Sequence, residues 1–472
     1  MTNRIWLDVE DIFEYVAFNS RPSGIQRLQY ELCRALVELD PSGDRIGFLR
    51  HDARRQSFDA IGWQGVASVF ERLSGHTERS VPPPAQARDE QPTAARAGFR
   101  RLIHRMPSRL RQPLVRYLVQ QREAASSLAA FLRACVTGKR ASSGGGPIET
   151  PVLRGADSFD ARAQAGDVVL VLGAMWYHSG HADLIRAACH AKGLRFAVLI
   201  YDIIPLRRPE WCDRGLVRIF SAWFGSIIGL ADHIMSISQS SAREIEDYAE
   251  QHGIALRDAV RVIPIGTGFE KARVASATRA PTRSLPEAGT YALIVSTLEI
   301  RKNHALLFRV WRRLLDEMPR ERVPTLVLAG RVGWMVADLM QQLRNCDFLG
   351  GKIVLVEDPS DAELERLYQG CLFTLFPSFH EGWGLPVTES LSFGRPCIIS
   401  NATSLPEAGG SLARYFDPDN VTEATAIIRD VLLHPEAIPA WQERVAREFR
   451  PVPWRDTAEA VLGVLASPPA WR

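Results

Sequence analysis

No apolar run in this chain reaches the ~20 residues that a membrane-spanning helix needs. The nearest, Ile219 to Leu230, is too short and is flanked by Arg218 and Asp232, so it reads as a buried helix. An apolar leader is also lacking, since Met1 to Asp8 runs straight into a strand pattern. Cysteine is sparse. Cys33, Cys135, Cys189, Cys212, Cys346, Cys371 and Cys397 are scattered, odd in number and form no C-x-x-C. That pattern argues against a disulfide framework or a zinc site and for reduced thiols in a reducing compartment. An excess of one charge is missing as well: 57 Lys+Arg against 54 Asp+Glu leaves +3, too little to make nucleic acid the main partner. No G-x-G-x-x-G follows a first strand, which disfavours a NAD-dependent enzyme. Together these absences suggest a cytoplasmic protein that can touch the inner face of a membrane without crossing it.

What is present is the balance of a globular protein. Hydrophobic residues make up 46% and charged residues 24% of 472, enough for a sizeable core divided among two or three domains. Strand and helix patterns alternate in two blocks, which implies parallel sheets covered on both faces. In the first block Arg4–Asp8 reads as a strand. A turn at 21–24 and a helix from about Ile25 to Glu38 follow, with Ile25, Leu28, Leu32 and Leu36 near helical spacing. The block resumes at Asp167, with short β-rich runs at Val168–Leu172, Arg195–Ile200, His233–Ser236 and Val260–Ile263. A linker near Lys271–Ala288 precedes the second block. Its strands are expected at Tyr291–Thr297, Thr325–Ala329, Ile353–Val356, Cys371–Phe376 and Cys397–Ser400. Ser360 to Glu363 reads as a capping box opening a helix.

Residues 51–165 do not follow that rhythm and read as an insertion. Ser80 to Ala94 and Ala141 to Pro147 have linker composition. Between them, 96–140 carries eleven Arg and Lys residues against Glu123 alone, interleaved with Leu and Ile. A solvated helical insertion and a helix pair lying on anionic lipid both fit this pattern.

The most informative stretch is Phe376-Pro-Ser-Phe-His-Glu-Gly-Trp-Gly-Leu-Pro-Val-Thr-Glu389. A strand ends at Phe376, and a loop with Gly382 and Gly384 follows. Pro386 then suits the start of a helix, Gly394 its stop, and Cys397–Ser400 the next strand. Ligands bind at such places in open α/β sheets, where free N–H groups and the helix dipole attract phosphate. Glu381 and Glu389, eight positions apart, can address a bound sugar and ribose hydroxyls. Alternatively, Glu389 merely complements the helix N-terminus. Beyond the strand at Tyr291, Arg301 and Lys302 sit where two cations would neutralise a departing diphosphate, and no obvious Asp-x-Asp metal site is present to do so.

These residues carry a resemblance. Val295 to His304, Leu328-Ala-Gly-Arg331, His380 to Glu389 and Ser400 to Gly410 are similar to the retaining GT-B glycosyltransferases of family 4. The likeness is greatest to the mannosyltransferase-like branch that builds bacterial surface polysaccharides. Ser23-Gly-Ile-Gln-Arg27 and Tyr201-Asp-Ile-Ile-Pro205 also resemble that branch, although it often has His where this chain has Tyr201. The resemblance implies an α/β GT-B fold, two Rossmann-like domains facing across a cleft. Residues 1–275 would bind acceptor and 276–450 the nucleotide-sugar, with a final helix in 451–472 packed back on the first domain. It further implies that Arg301 and Lys302 bind the donor diphosphate and Glu381 contacts the transferred sugar. Gly382, Trp383, Gly384 and Leu385 would offer backbone groups, Glu389 would hold the ribose, and Leu405 would lie near the nucleotide. Gly24, Arg27 and His178 belong to the acceptor and phosphate side, Asp202 joins Arg301, Lys302 and Glu381 as a catalytic candidate through acceptor activation, and His178 and His181 are cleft candidates.

The implied reaction moves a hexose, with mannose or a deoxyhexose favoured, from a nucleotide-diphosphate sugar (a GDP-sugar in preference to UDP) to a glycan or lipid-linked glycan. It needs no metal or other cofactor. A GT-B nucleotide-sugar epimerase would use a similar cleft without an acceptor. A non-catalytic scaffold could keep the fold and recruit partners through the basic insertion.

Overall fold

The computed structural model describes residues 3–19, 22–52, 56–73, 151–268 and 284–468. Apolar runs of four to six residues become buried central strands, as parallel strands covered on both faces require. The first sheet contains β1 (Ile5–Asp8), β2 (Ile46–Asp52), β3 (Ser57–Ile61), β4 (Val168–Val171), β5 (Arg195–Ile200), β6 (His233–Ser236) and β7 (Arg261–Val262). Their order is β3-β2-β1-β4-β5-β6-β7. All neighbours are parallel except β2 and β3. The second sheet contains β8 (Tyr291–Val295), β9 (Thr325–Gly330), β10 (Ile353–Glu357), β11 (Thr374–Phe376), β12 (Cys397–Ser400) and β13 (Ala413–Phe416). These are ordered β10-β9-β8-β11-β12-β13 and are parallel throughout. This is the α/β architecture that the sequence implies.

Each sheet has its own core. Trp6, Phe196 and Phe224 are sealed in the first; Trp311, Phe373 and Phe416 are sealed in the second. A fully buried side chain such as Phe373 contributes roughly 1.5–3 kcal/mol relative to exposure. The helix Trp454–Ala466 packs on the helix Gly24–Glu38. The Arg195 guanidinium donates to the Leu465 carbonyl at 3.0 Å, and the Trp454 indole donates to the Gly268 carbonyl at 2.8 Å.

Two differences from the sequence reading stand out. Residues 57–61, assigned to the insertion, form β3 as an antiparallel edge strand on β2, and Trp63–Leu73 is a helix. A polar, alternating edge strand lacks the apolar run that marks its parallel neighbours. The strands expected to begin at Cys371 and to end at Thr297 are shorter at those ends, because the chain leaves the ladder there to build loops. The basic segment 96–140, and with it the lipid-surface reading, lies outside the described residues. Among the described residues, no helix is long and apolar enough to cross a membrane.

Candidate active site

The carboxyl ends of β8, β11 and β12 converge on one ionic cluster. After β8 the chain makes a 3-10 turn, Ile300–Lys302, and Asn303 follows in the left-handed region at φ 54°. The Asn303 amide donates to the carbonyls of Pro377 at 3.2 Å and Pro418 at 2.9 Å, tying this turn to the loops after β11 and β13. The turn therefore presents its two cations to Glu381. The Arg301 guanidinium donates to Glu381 Oε2 at 2.8 Å, to Glu299 Oε1 at 2.7 Å and to the His380 carbonyl at 2.6 Å. Lys302 Nζ donates to Glu381 Oε1 at 2.6 Å. Burial opposes ionisation of Glu381, but Arg301 and Lys302 overcome it and hold the acid down at about 2. Burial likewise disfavours the Arg301 cation, yet Glu381 and Glu299 leave it more firmly protonated than usual.

The loop that carries Glu381 is held from behind. The Glu381 N–H donates to Thr403 Oγ1 at 2.9 Å, and the hydroxyls of Thr403 and Ser404 donate back to its carbonyl at 3.1 and 2.8 Å. Thr403 itself stands at φ 51°. Gly384 reaches φ 108° as it enters the helix Leu385–Ser392, and a β-carbon there would lie 2.7 Å from Leu405 Cδ2. The side chains of Trp383 and Leu405 pack into the apolar group with Phe376 and Val387. Leu405 is sealed there, whereas Trp383 is half-buried and its indole N–H has no hydrogen-bond partner among the described residues; the Trp383 carbonyl accepts from Ser404 at 3.0 Å.

The first sheet meets this loop at the end of β5. Asp202 lies beside Gly382, where an added β-carbon would stand 3.3 Å from Asp202 Oδ2. Burial raises the Asp202 carboxyl, and Arg301 draws it partly back. The Ser241 hydroxyl donates to the Gly382 carbonyl at 3.3 Å. Glu407 accepts from the N–H groups of Gln239 and Ser240, both at 2.8 Å, at the start of the helix Gln239–Gln251. The sequence-expected residues Arg301, Lys302, Glu381, Gly382 and Asp202 thus come together.

Glu389 does not join them. It accepts from the Tyr368 hydroxyl at 2.9 Å. Burial raises its carboxyl, Tyr368 and Arg27 opposing. Arg27 donates to Asp361 Oδ1 at 2.8 Å, and Gly24 lies against Leu385. The helices Gly24–Glu38 and Leu385–Ser392 thus bring their N-terminal ends together, an arrangement that favours anionic oxygens.

His178 and His181 belong to a separate cluster at the head of the first sheet. Asp8 Oδ2 lies 2.8 Å from His51 Nε2 and 3.1 Å from His181 Nε2. His181 is buried. Its Nδ1 accepts from the Trp223 indole at 3.2 Å, so a neutral His181 carries its proton on Nε2. Burial disfavours the Asp8 carboxylate, but the two imidazoles bring it below the usual range. Asp8 and His51 are absent from the sequence-expected set. They carry no short-range signal, since strand pairing brings them together across 43 residues.

Asp8, His51 and His181 have donor atoms close enough for a metal ion. Trp223 decides against it: a metal on His181 Nε2 would put the proton on Nδ1, facing another N–H donor. An Asp-x-Asp spacing does exist, Asp417-Pro418-Asp419, in contrast to the sequence reading. Its first carboxylate is turned to the Asp419 N–H at 2.9 Å.

The comparisons agree with this architecture. Residues 279–447 match the family model described as Glycosyl transferases group 1. The serotype-specific mannosyltransferase WbdA of Escherichia coli is 27% identical over 289 residues, covering 59% of this chain and 34% of WbdA. The O-antigen chain mannosyltransferase B of Escherichia coli is 38% identical over 243 residues, covering 50% of this chain and 60% of that protein. The chain thus spans less than two thirds of the length of either relative. Anabaena HepE, solved in complex with UDP and glucose, superposes with TM-score 0.51 at 14% identity, over 98% of this chain and 99% of that one. The chain is built on the GT-B fold, and its residues 279–447 are similar to the Glycosyl transferases group 1 family.

Proposed function

We propose that this protein is a retaining glycosyltransferase that moves a hexosyl group from a nucleotide-diphosphate sugar to a glycan or lipid-linked glycan during surface-polysaccharide assembly. The observation that carries the reading is the pairing of both cations, Arg301 and Lys302, with one carboxylate, Glu381. It stands at the head of the second sheet, against Asp202 of the first. The chemistry that breaks a bond from sugar to diphosphate develops charge on the leaving phosphate. Fixed cations and helix N-termini aimed at that charge are worth most in a water-poor cleft. Arg301 and Lys302 are preorganised by Glu381 and need little rearrangement to exchange that partner for phosphate oxygens. Glu381 is then freed to meet the hydroxyls of the transferred hexose. Asp202, poised across Gly382, faces the acceptor side.

The names of the mannosyltransferase relatives favour mannose as the transferred sugar; GDP as its carrier is what the family resemblance implies. No metal is needed in this reading, because the two cations take its electrostatic role. An epimerase reading has no comparable support among the relatives. The experiment is a thermal-shift panel of GDP-, UDP-, dTDP- and ADP-sugars on the whole chain, followed by transfer assays with the sugar that stabilises most. The expected result is the largest stabilisation by a GDP-hexose and transfer to a mannose-containing acceptor. Isomerised donor without acceptor, or no stabilisation by any nucleotide-sugar, would overturn it.

A further inference from the structure

The loop carrying Glu381 is gripped on both flanks by side chains that follow the strands of the first sheet. On one flank the Trp211 ring stacks on Phe379 with centroids 5.5 Å apart and stands edge-on to His380 at 6.4 Å. His380 Nε2 lies 3.2 Å from Glu244 Oε2. On the other flank the Ser241 hydroxyl donates to the Gly382 carbonyl at 3.3 Å. Ser241 and Glu244 are three positions apart on the helix Gln239–Gln251 and share one face of it. That face therefore reaches the residues immediately before and after Glu381.

The same helix is fastened to the second sheet at its N-terminus. Glu407, on the short helix Leu405–Gly409, accepts from the Gln239 N–H through Oε2 and from the Ser240 N–H through Oε1, both at 2.8 Å. A carboxylate there complements the positive end of the helix. The helix does not depend on it for a cap, because Ser238 already accepts from the Ser241 N–H at 3.0 Å. Glu407 is exposed and belongs to no core. What its fork of two hydrogen bonds does is set the helix against the segment after β12. That segment also carries Thr403 and Ser404, whose hydroxyls hold the Glu381 carbonyl. The second sheet thus fixes the backbone of Glu381, the first fixes its two neighbours, and Glu407 ties the two supports together.

We propose that Ser241, Glu244 and Glu407 are positioning residues, which aim Glu381 at the transferred sugar by clasping the helix Gln239–Gln251 to its loop. The rate effect rests on the glycosyltransferase reading; the clasp itself does not. Arg301 and Lys302 sit on the turn after β8, which Asn303 ties down separately. Loosening the clasp should leave those cations in place for a diphosphate. The loss should then fall on kcat, because a misaimed group in a bound complex costs rate rather than affinity.

The test uses Glu407→Ala, Glu244→Ala and Glu244→Gln in the whole chain. In transfer assays the two alanine variants should lower kcat by about tenfold. Glu244→Gln keeps an oxygen that can accept from His380 Nε2 and should recover most of that loss. Calorimetry with GDP and with UDP should give Kd values within about twofold of the original for all three variants. Hydrogen exchange needs no turnover. In Glu407→Ala the amides of 379–384 should exchange about tenfold faster while those of 245–251 stay unchanged, which shows the helix intact. If neither nucleotide binds and no nucleotide-sugar is turned over, the glycosyltransferase reading fails while the exchange rates still decide the clasp. Unchanged kcat in both alanine variants, or unchanged exchange at 379–384, would overturn the proposal. So would a parallel loss of nucleotide affinity, which would mark these residues as general supports of the fold. A Glu244→Gln no faster than Glu244→Ala would remove Glu244 from the clasp.

Discussion

Gly382 lies against the Tyr201 carbonyl so closely that a β-carbon would stand 2.6 Å from that oxygen. The contact joins the loop of the second sheet to the end of β5 in the first. It is backbone against backbone position, so no rotamer change can relieve a side chain there. Gly382→Ala should therefore push Glu381 away from Asp202, lower kcat at least tenfold and lower Tm as well. Gly394→Ala is the contrast. Gly394 sits at φ 68°, away from the cluster, and its new methyl would meet Ala446 Cβ at 3.5 Å. It should cost about 1 kcal/mol of stability and leave transfer near its original rate. Thermal melts and initial rates on both variants check the pair, and loss of activity in Gly394→Ala alone would contradict the assignment.

Much of this site is legible in the sequence because its parts are local. Arg301 and Lys302 are adjacent, and Glu381, Gly382 and Gly384 lie in one loop between a strand and a helix. The rule that ligands sit at the carboxyl ends of parallel strands then places both groups together. What the sequence does not disclose is which strands are neighbours. Thr403 and Ser404 grip the Glu381 carbonyl from a loop about 22 positions away, and nothing in their types announces it. Glu389 is a similar case: its spacing from Glu381 is visible, but the direction of its side chain towards Tyr368 depends on how the helix packs. The Asp8–His51 pair is invisible for the same reason, since it exists only through the β1–β2 pairing.

Lys302→Ala should abolish transfer while the chain stays folded. Lys302 bonds only at its tip with Glu381 among the described contacts, and Arg301 still holds that carboxylate from the other side. Removing one preorganised cation from a developing phosphate charge costs on the order of 10²–10³ in kcat. Glu381→Ala should be equally inactive, because both cations then lose their common anchor. Circular dichroism and initial rates on each purified variant provide the check. Turnover at the original rate in either would remove the residue from the proposed roles.

Transfer should persist in excess EDTA. In the proposed reaction Arg301, Lys302 and two converging helix N-termini take the diphosphate charge, so no step needs a divalent ion. Rates with EDTA, and again after adding back Mg²⁺ or Mn²⁺, measure this directly. A complete loss restored by metal would mean that the cations are insufficient. The Asp417-Pro418-Asp419 turn, which touches Asn303 through the Pro418 carbonyl, would then be the place to look for a ligand set.

Acid should weaken the fold through Glu381, which ionises near 4.5 when free and at about 2 in the fold. Its folded value is the lower one, so the unfolded chain binds the proton more readily. The ion cluster therefore stabilises the fold fully above about 4.5, and this contribution disappears as the pH falls towards about 2. At about 1.4 kcal/mol per unit, it amounts to roughly 3 kcal/mol. Glu381→Gln cannot titrate, and it should lose stability at neutral pH while showing a flatter dependence between pH 4.5 and 2. Urea melts of both proteins across that range measure the difference in slope. Parallel curves would show that Glu381 is not held by Arg301 and Lys302 in solution, and the donor site would have to be rebuilt without that ion cluster.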